Sequence, residues 1–255
     1  MKITLIQSDI IWENKFRNLE RIEEMISTIP EGTDLLILPE MFNTGFSMNP
    51  AELAEPPESV TSDWMHEIAA KNNSGICGSY IVGENSNFYN RWIFVPPDGE
   101  VRIYDKRHLF SMSGEEALFT RGEKRVVFKF RGIRICPNIC YDLRFPVWSR
   151  NRNDYDLLIN SANWPESRRD VWITLLKARA IENQCFVAGV NRIGIDGAGI
   201  RYCGDSIMLG PKGEMMAEGQ QNKESVVSGD ISIDELSGFR RKFPVWKDGD
   251  NFTII

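Results

Sequence analysis

The chain has 255 residues, of which 42% are hydrophobic, and a formal net charge of −6 at pH 7. This length suits a single α/β domain over 1–255 with a substantial core, because no linker, repeat or low-complexity segment divides the sequence. The net negative charge disfavours a nucleic-acid-binding surface. The first residues resemble no signal peptide, no apolar run reaches membrane-spanning length, and the five cysteines are too unevenly spaced for a disulfide framework. We therefore expect a cytoplasmic protein without nucleic-acid or membrane partners.

Predicted strands and helices alternate along the chain. Short apolar or alternating runs predict strands at 2–7, 35–38, 76–82, 92–95, 101–104, 126–130, 133–139, 155–161, 185–190, 206–209, 215–217 and 226–231. Apolar residues spaced by three and four predict helices from Phe16 to Ile29, from about Ser59 to Ile68, and over 168–184. The tail 239–255 contains aromatic residues but no clear period. Because hairpin turns interrupt the alternation, the pattern predicts a mixed α/β fold of two sheets with outer helices.

The turns that separate these elements are rich in proline and glycine. Pro30-Glu31-Gly32 is predicted to end the first helix, and Pro96-Pro97-Asp98-Gly99 to join two strands into a hairpin.

Three reactive side chains follow three of the predicted strands. Glu40 comes after strand 35–38, Lys106 after strand 101–104, and Cys140 after strand 133–139. If these strands run in the same direction, their carboxyl ends converge and bring a carboxylate, an amine and a thiol together. Glu40 could then take the thiol proton, and Lys106 could stabilise the thiolate and a negative tetrahedral intermediate. The backbone N–H of Tyr141 is a candidate second oxyanion donor.

Other interpretations of these residues remain open at this stage. A free cysteine is most often buried and inert, and single glutamates or lysines are most often solvated. Cys136 and Cys140 are about 13 Å apart on a strand, too far to share a zinc ion, so we expect no metal. His108 is an alternative base, although the sequence shows no buried acidic partner for it. A non-catalytic binding module is disfavoured because the glycines in 194–199 lack nucleotide-loop spacing.

Three segments around the reactive residues resemble the signature blocks of the nitrilase superfamily of carbon–nitrogen hydrolases. They are PEMFNTGF at 39–46, YDKRHLF at 104–110 and CYDLRFPVWSR at 140–150. SANWP at 161–165 and KARAIENQCFVAGVNR at 177–192 are also similar to that superfamily. With DLRFPVWSR and KFPVWKD, the sequence most resembles the omega-amidase branch, and the resemblance covers nearly the whole chain.

This resemblance implies an αββα sandwich whose subunits pair through their helical faces into an αββα–αββα homodimer or a larger homo-oligomer. It implies that Glu40 is the general base, Lys106 the oxyanion lysine and Cys140 the nucleophile, with no cofactor. It also implies a second active-site glutamate after the lysine block. Glu115 and Glu116 are the candidates, and counting back from Gly122 favours Glu115.

Omega-amidases hydrolyse the side-chain amide of 2-oxoglutaramate or 2-oxosuccinamate, so the resemblance implies release of ammonia through a cysteine thioester. The free carboxylate of such a substrate needs a cation; Arg144 is the first candidate, followed by Arg168 and Arg169. Nitrilase and N-carbamoyl amino acid hydrolase activities use the same three reactive residues and are the alternatives. The other candidate substrate-binding residues are Tyr141, Asn163, Trp164, Phe42 and Phe46.

Overall fold

The computed structural model describes residues 1–29 and 32–253. Pro30 and Glu31, in the turn predicted to end the first helix, lie outside the described residues, as do the last two residues of the tail. The strands are β1 (Lys2–Gln7), β2 (Leu35–Ile37), β3 (Gly75–Glu84), β4 (Asn87–Val95), β5 (Arg102–Asp105), β6 (Phe128–Phe130), β7 (Ile133–Ile139), β8 (Leu157–Ala162), β9 (Phe186–Asn191), β10 (Ile193–Ile195), β11 (Arg201–Cys203), β12 (Ile207–Leu209), β13 (Met215–Glu218) and β14 (Ser225–Asp230). The helices are α1 (Lys15–Ser27), α2 (Pro50–Leu53), α3 (Val60–Asn72), α4 (Glu115–Leu118), α5 (Pro146–Ser149), α6 (Arg169–Asn183) and α7 (Ile233–Lys242).

Two six-stranded sheets form the centre of the structure, and each contains three neighbouring parallel strands. The first has the order β14-β1-β2-β3-β4-β5, with β1, β2 and β3 parallel. The second has the order β13-β12-β9-β8-β7-β6, with β7, β8 and β9 parallel. Antiparallel hairpins extend both sheets, and β10 and β11 form a separate two-stranded ribbon. The mixed topology agrees with the hairpin signals in the sequence.

Apolar side chains fill the three interfaces between four layers, helix, sheet, sheet and helix, which confirms the predicted αββα sandwich. Between the sheets, Ile3 and Ile37 of the first sheet share one cluster with Ile135 and Ile159 of the second. The outer face of the first sheet packs against α1 and α3, and the outer face of the second packs against α6. Strands such as β2 are therefore buried on both faces, which explains their uninterrupted apolar sequence.

The helices follow the predicted periodicity with local exceptions. Ser59 caps α3 through a reciprocal capping box with Ser62, which fixes the predicted start of this helix. Phe16, predicted on the buried stripe of α1, is 66% exposed: it lies in the first turn, and the buried residues of this helix begin at Asn18. The sequence shows no clear period in the tail and assigned no element to it, but the structure has the helix α7 there, which continues through Phe239 to Lys242. No helix of the described residues is long and apolar enough to span a membrane.

Candidate active site

Glu40 follows β2 and lies completely buried between the two sheets. Its Oε1 accepts hydrogen bonds from Lys106 Nζ at 2.8 Å and from Asn90 Nδ2 at 2.8 Å. Its Oε2 accepts the backbone N–H of Asn163 at 2.9 Å, and its backbone carbonyl accepts Asn163 Nδ2 at 2.6 Å. The carboxylate is thus held by donors from both sheets and has a fixed orientation.

Lys106 follows β5 and is also buried, with its ammonium between two carboxylates. Nζ donates to Glu40 Oε1 at 2.8 Å and to Glu115 Oε1 and Oε2 at 3.0 and 2.9 Å. Burial alone would lower the pKa of Lys106, but the charges of Glu115 and Glu40 outweigh burial and hold this pKa above the usual value. Lys106 is therefore a cation at neutral pH.

Glu115, and not Glu116, reaches the lysine. Glu115 is buried at the start of α4 and also accepts the backbone N–H of Phe110 at 2.6 Å, whereas Glu116 is exposed. Burial raises the pKa of Glu115 above its ordinary value, against the opposing effect of the Lys106 charge. The loop closes at Gly122, where a Cβ would lie 2.0 Å from the carbonyl oxygen of Asp105, so only glycine permits this approach.

Cys140 stands at a sharp turn where β7 ends. Its φ of +42° is in the left-handed region, and a 3-10 helix begins at the same residue. A non-glycine residue held in this conformation costs of order 1–3 kcal/mol, a strain that is common at functional turns. The Tyr141 N–H lies in the first turn of that helix, where backbone donors have no partner within the helix.

The Cys140 thiol lies next to Asn163 and Glu40. Sγ is 3.7 Å from the carbonyl oxygen of Asn163. Burial, followed by the charge of Glu40, raises the pKa of Cys140 well above its ordinary value, while the charge of Lys106 acts in the opposite direction. At neutral pH the resting residue is a thiol, and it needs a base to become a nucleophile.

The three reactive residues do converge, but from two sheets. β2 and β5 belong to the first sheet and run in the same direction, because two antiparallel pairings separate β5 from β3. β7 belongs to the facing sheet. The sequence did not indicate that the thiol approaches the carboxylate and the ammonium from the opposite layer.

Asp142 ties the cysteine turn to the lysine segment. Its buried carboxylate accepts the Ile139 N–H at 3.0 Å, the Tyr104 hydroxyl at 2.7 Å and the His108 N–H at 2.9 Å. His108 Nδ1 lies 2.7 Å from the same carboxylate, and its ring stacks on Phe145. His108 therefore does have a buried acidic partner, contrary to the sequence analysis, but it lies outside the cavity that Cys140 lines.

A cavity of about 510 Å³ opens over Cys140 and Lys106. The predicted substrate residues Tyr141, Asn163 and Trp164 line it, together with Phe46, whose ring centroid is 5.0 Å from Lys106 Nζ. The prediction for Phe42 is wrong. That side chain points into the core against Trp64 and Tyr80, since it lies on the helix-facing side of the first sheet.

Two of the three candidate arginines line the cavity. Arg144 lies over the Trp164 ring at 5.1 Å, and Arg168 lies over the Phe110 ring at 5.3 Å. Within 1–29 and 32–253, neither one forms an ion pair with a carboxylate. Arg169 is excluded as a candidate, because its guanidinium makes two hydrogen bonds to Asp205, at 2.8 and 3.0 Å.

Sequence reasoning missed Asn90 and Asp142 as site residues. Asn90 Nδ2 bridges Glu40 at 2.8 Å and Glu115 at 3.2 Å. The available signals were an asparagine inside the apolar strand β4 and an aspartate two residues after the cysteine. In the part of the chain that the structure describes, no cluster of three or more His, Cys, Asp or Glu side chains could hold a metal ion.

Comparison with known proteins agrees with this geometry. Residues 2–241 match the carbon–nitrogen hydrolase family. The chain belongs to that family. Among similar carbon–nitrogen hydrolases, Omega-amidase YafV of Escherichia coli K12 is 44% identical over 100% of this chain and 98% of its own. The 2-oxoglutaramate amidase of Bacillus subtilis is 34% identical, with 96% of each chain covered.

The fold comparison gives the same family. The crystal structure of XC1258 from Xanthomonas campestris, a CN-hydrolase superfamily protein with an arsenic adduct in its active site, superposes with a TM-score of 0.97. It is 38% identical and covers 100% of this chain and 99% of its own. The predicted family and the sandwich fold are therefore confirmed, while the roles of individual carbon–nitrogen hydrolase residues stay predictions.

Proposed function

We propose that this protein is an omega-amidase that releases ammonia from the ω-amide of 2-oxo dicarboxylic acid monoamides, such as 2-oxoglutaramate and 2-oxosuccinamate. The observation that carries the proposal is the buried Glu40–Lys106–Glu115 cluster beside Cys140, at the base of a cavity lined by two arginines that pair with no carboxylate of the described residues. The similarity to Omega-amidase YafV and to a 2-oxoglutaramate amidase supports the same chemistry.

In the acylation step, Cys140 Sγ attacks the amide carbon while its proton passes to Glu40. This transfer neutralises Glu40 and leaves the Lys106 ammonium with one anionic partner, Glu115. Lys106 and the Tyr141 N–H can then donate to the oxyanion of the tetrahedral intermediate. The C–N bond breaks as Glu40 returns the proton to the nitrogen, so ammonia leaves and a thioester remains.

In the deacylation step, a water molecule attacks the thioester carbon and Glu40 accepts its proton. The same oxyanion donors stabilise the second tetrahedral intermediate. The C–S bond breaks, the dicarboxylate product leaves, and the proton on Glu40 restores the Cys140 thiol. Glu115 keeps Lys106 cationic and in place throughout, since its pair with Nζ does not depend on the state of Glu40.

Arg144 and Arg168 are the groups that we propose bind the remote carboxylate. A guanidinium offers two parallel donors to a carboxylate, and the aromatic rings beneath both side chains restrict their orientation. A charge-assisted bond of this kind is worth about 1.5–3 kcal/mol, or roughly ten- to a hundredfold in specificity.

The proposal is tested by measuring ammonia release from a substrate panel. It comprises 2-oxoglutaramate, 2-oxosuccinamate, glutamine, a simple aliphatic amide, a nitrile and an N-carbamoyl amino acid. We expect the highest kcat/KM for the 2-oxo monoamides. Equal or higher kcat/KM for the nitrile or the N-carbamoyl compound would reject the omega-amidase assignment in favour of the alternative hydrolase.

We also propose a homodimer that works in the cytoplasm without cofactor. Phe243 and Trp246 expose 61% and 40% of their surface in the tail, which favours a contact with a second copy. All five cysteines are free, as is usual in a reducing compartment. A monomeric mass across micromolar concentrations would reject the dimer, and loss of activity on chelation with recovery by zinc would reject a metal-free mechanism.

A further inference from the structure

A second cavity, of about 590 Å³, lies apart from the active site and is lined by five arginines. We call it the arginine cleft. Among the residues that the structure describes, Glu123 and Asp154 are its acidic ones, so positive side chains outnumber negative ones there, in a chain whose net charge is −6. The arginines are Arg107, Arg121, Arg125, Arg150 and Arg152.

Within 1–29 and 32–253, one of the five cleft arginines is paired with a carboxylate. Arg125 pairs with Asp154 at 2.6 Å. In the ranges that the structure describes, the guanidiniums of Arg107, Arg121, Arg150 and Arg152 form no ion pair. Four like charges around one cleft repel each other unless an anion lies between them.

Backbone carbonyls, rather than carboxylates, hold three of these guanidiniums in place. Arg107 donates to the carbonyl of Gly122 at 3.2 Å, and Arg150 donates to that of Glu182 at 3.1 Å. Arg152 donates to the carbonyl of Phe252. A carbonyl orients a guanidinium and uses one or two of its five N–H groups, but it leaves the charge and the other donors available.

We propose that the arginine cleft binds a small multivalent oxyanion carrying phosphate or carboxylate groups. Oriented guanidiniums suit the paired oxygens of such groups, and the volume falls in the usual range of metabolite sites. Trp148 lies beneath Arg107, with the guanidinium 5.2 Å from its ring, and provides a rigid floor. Among the residues that the structure describes, this site shares no lining residue with the active-site cavity, so the inference does not depend on the proposed function.

The test is calorimetric titration of the full-length protein at low ionic strength with pyrophosphate, inorganic phosphate and citrate. We expect saturable binding that weakens with added salt, and tighter binding of pyrophosphate than of phosphate. If citrate binds more tightly than pyrophosphate, the natural ligand carries carboxylate groups. If pyrophosphate binds more tightly than citrate, it carries phosphate groups. Arg121→Ala should weaken binding about tenfold, and Arg121→Ala/Arg150→Ala about a hundredfold or more.

Two matched variants separate this site from other anion sites. Arg17→Ala removes one exposed arginine from α1 and should leave the affinity unchanged. Arg144→Ala/Arg168→Ala empties the active-site cavity of its arginines and should also leave the affinity unchanged. No saturable binding, or a loss in the second control instead of in the cleft variants, would overturn the proposal. If the double variant proves unstable, Arg121→Glu can replace it, because Arg121 is exposed and reversing its charge should leave the fold intact.

Discussion

Replacing Glu40 by glutamine should separate the two effects of this carboxylate on Cys140. Glutamine has the same shape but cannot take the thiol proton. Loss of a positioned general base lowers rates by about 10²–10⁴-fold, so we expect kcat to fall by that factor. At 1.36 kcal/mol per factor of ten, this corresponds to about 3–5 kcal/mol in the activation barrier.

The same substitution should make the thiol more acidic. The charge of Glu40 contributes to the raised pKa of Cys140, and the charge of Lys106 opposes it. Glu40→Gln removes the first contribution and leaves Lys106 paired with Glu115 at 2.9 Å. The pH profile of Cys140 alkylation by iodoacetamide should therefore shift to lower pH in a variant that has lost its activity.

The cost in stability follows from the hydrogen bonds of Glu40. The oxygen of glutamine can keep the bonds from Lys106 and Asn90, but its NH₂ group then faces the N–H of Asn163, which Oε2 now accepts at 2.9 Å. Loss of one charge-assisted bond lowers the free energy of unfolding by about 1.5–3 kcal/mol. In a chain of this size the melting temperature should fall by roughly 3–12 °C.

Three measurements decide this prediction: ammonia release from 2-oxoglutaramate, alkylation rate against pH followed by mass spectrometry, and thermal unfolding. Glu116→Gln, the same change at an exposed neighbouring position, is the matched control and should alter none of them. More than a tenth of the original kcat in Glu40→Gln, or an alkylation profile displaced to higher pH, would refute the proposed role.

Cys140→Ala should abolish amide hydrolysis, whereas Cys136→Ala should fold and stay active; ammonia release above background in Cys140→Ala would exclude the thioester mechanism. Arg144→Lys should lower kcat/KM for 2-oxoglutaramate about ten- to a hundredfold and hardly change it for an uncharged amide, and an equal drop for both would make Arg144 structural. Burial raises the pKa of Cys136 to about 12. The folded state thus holds the thiol proton of Cys136 more tightly than the unfolded chain. The contribution of Cys136 to the free energy of unfolding is therefore fully present below about pH 8.5 and is lost as the pH rises towards 12. In denaturant titrations, the free energy of unfolding should fall less steeply with rising alkaline pH in Cys136→Ala than in the unsubstituted protein. Equal pH slopes for the two proteins would count against the burial argument.

The local pattern of the sequence determined most of the fold. β1 spans the predicted residues, α6 lies within one residue of prediction at each end, and β7 ends directly before Cys140. Burial on one or both faces imposes a period on the side chains, and this period is visible without knowledge of distant contacts. The blocks around Glu40, Lys106 and Cys140 likewise identified the family, because each block is contiguous in the chain.

Tertiary structure alone decided which neighbours complete the site. Phe42 and Phe46 are both aromatic residues of one block, yet Phe42 lies in the core and Phe46 lines the cavity. Arg168 and Arg169 are adjacent in sequence, but only Arg169 meets Asp205, 36 residues further along the chain.

The contact between Asn90 and Glu40 could not be predicted from sequence either, since it joins residues that are 50 positions apart in the chain. The placement of the two sheets face to face decides where a side chain points after the end of a strand. It also decides which distant residues pair. Residue type and spacing determine the elements and the reactive groups, whereas the placement of the sheets determines what each reactive group touches.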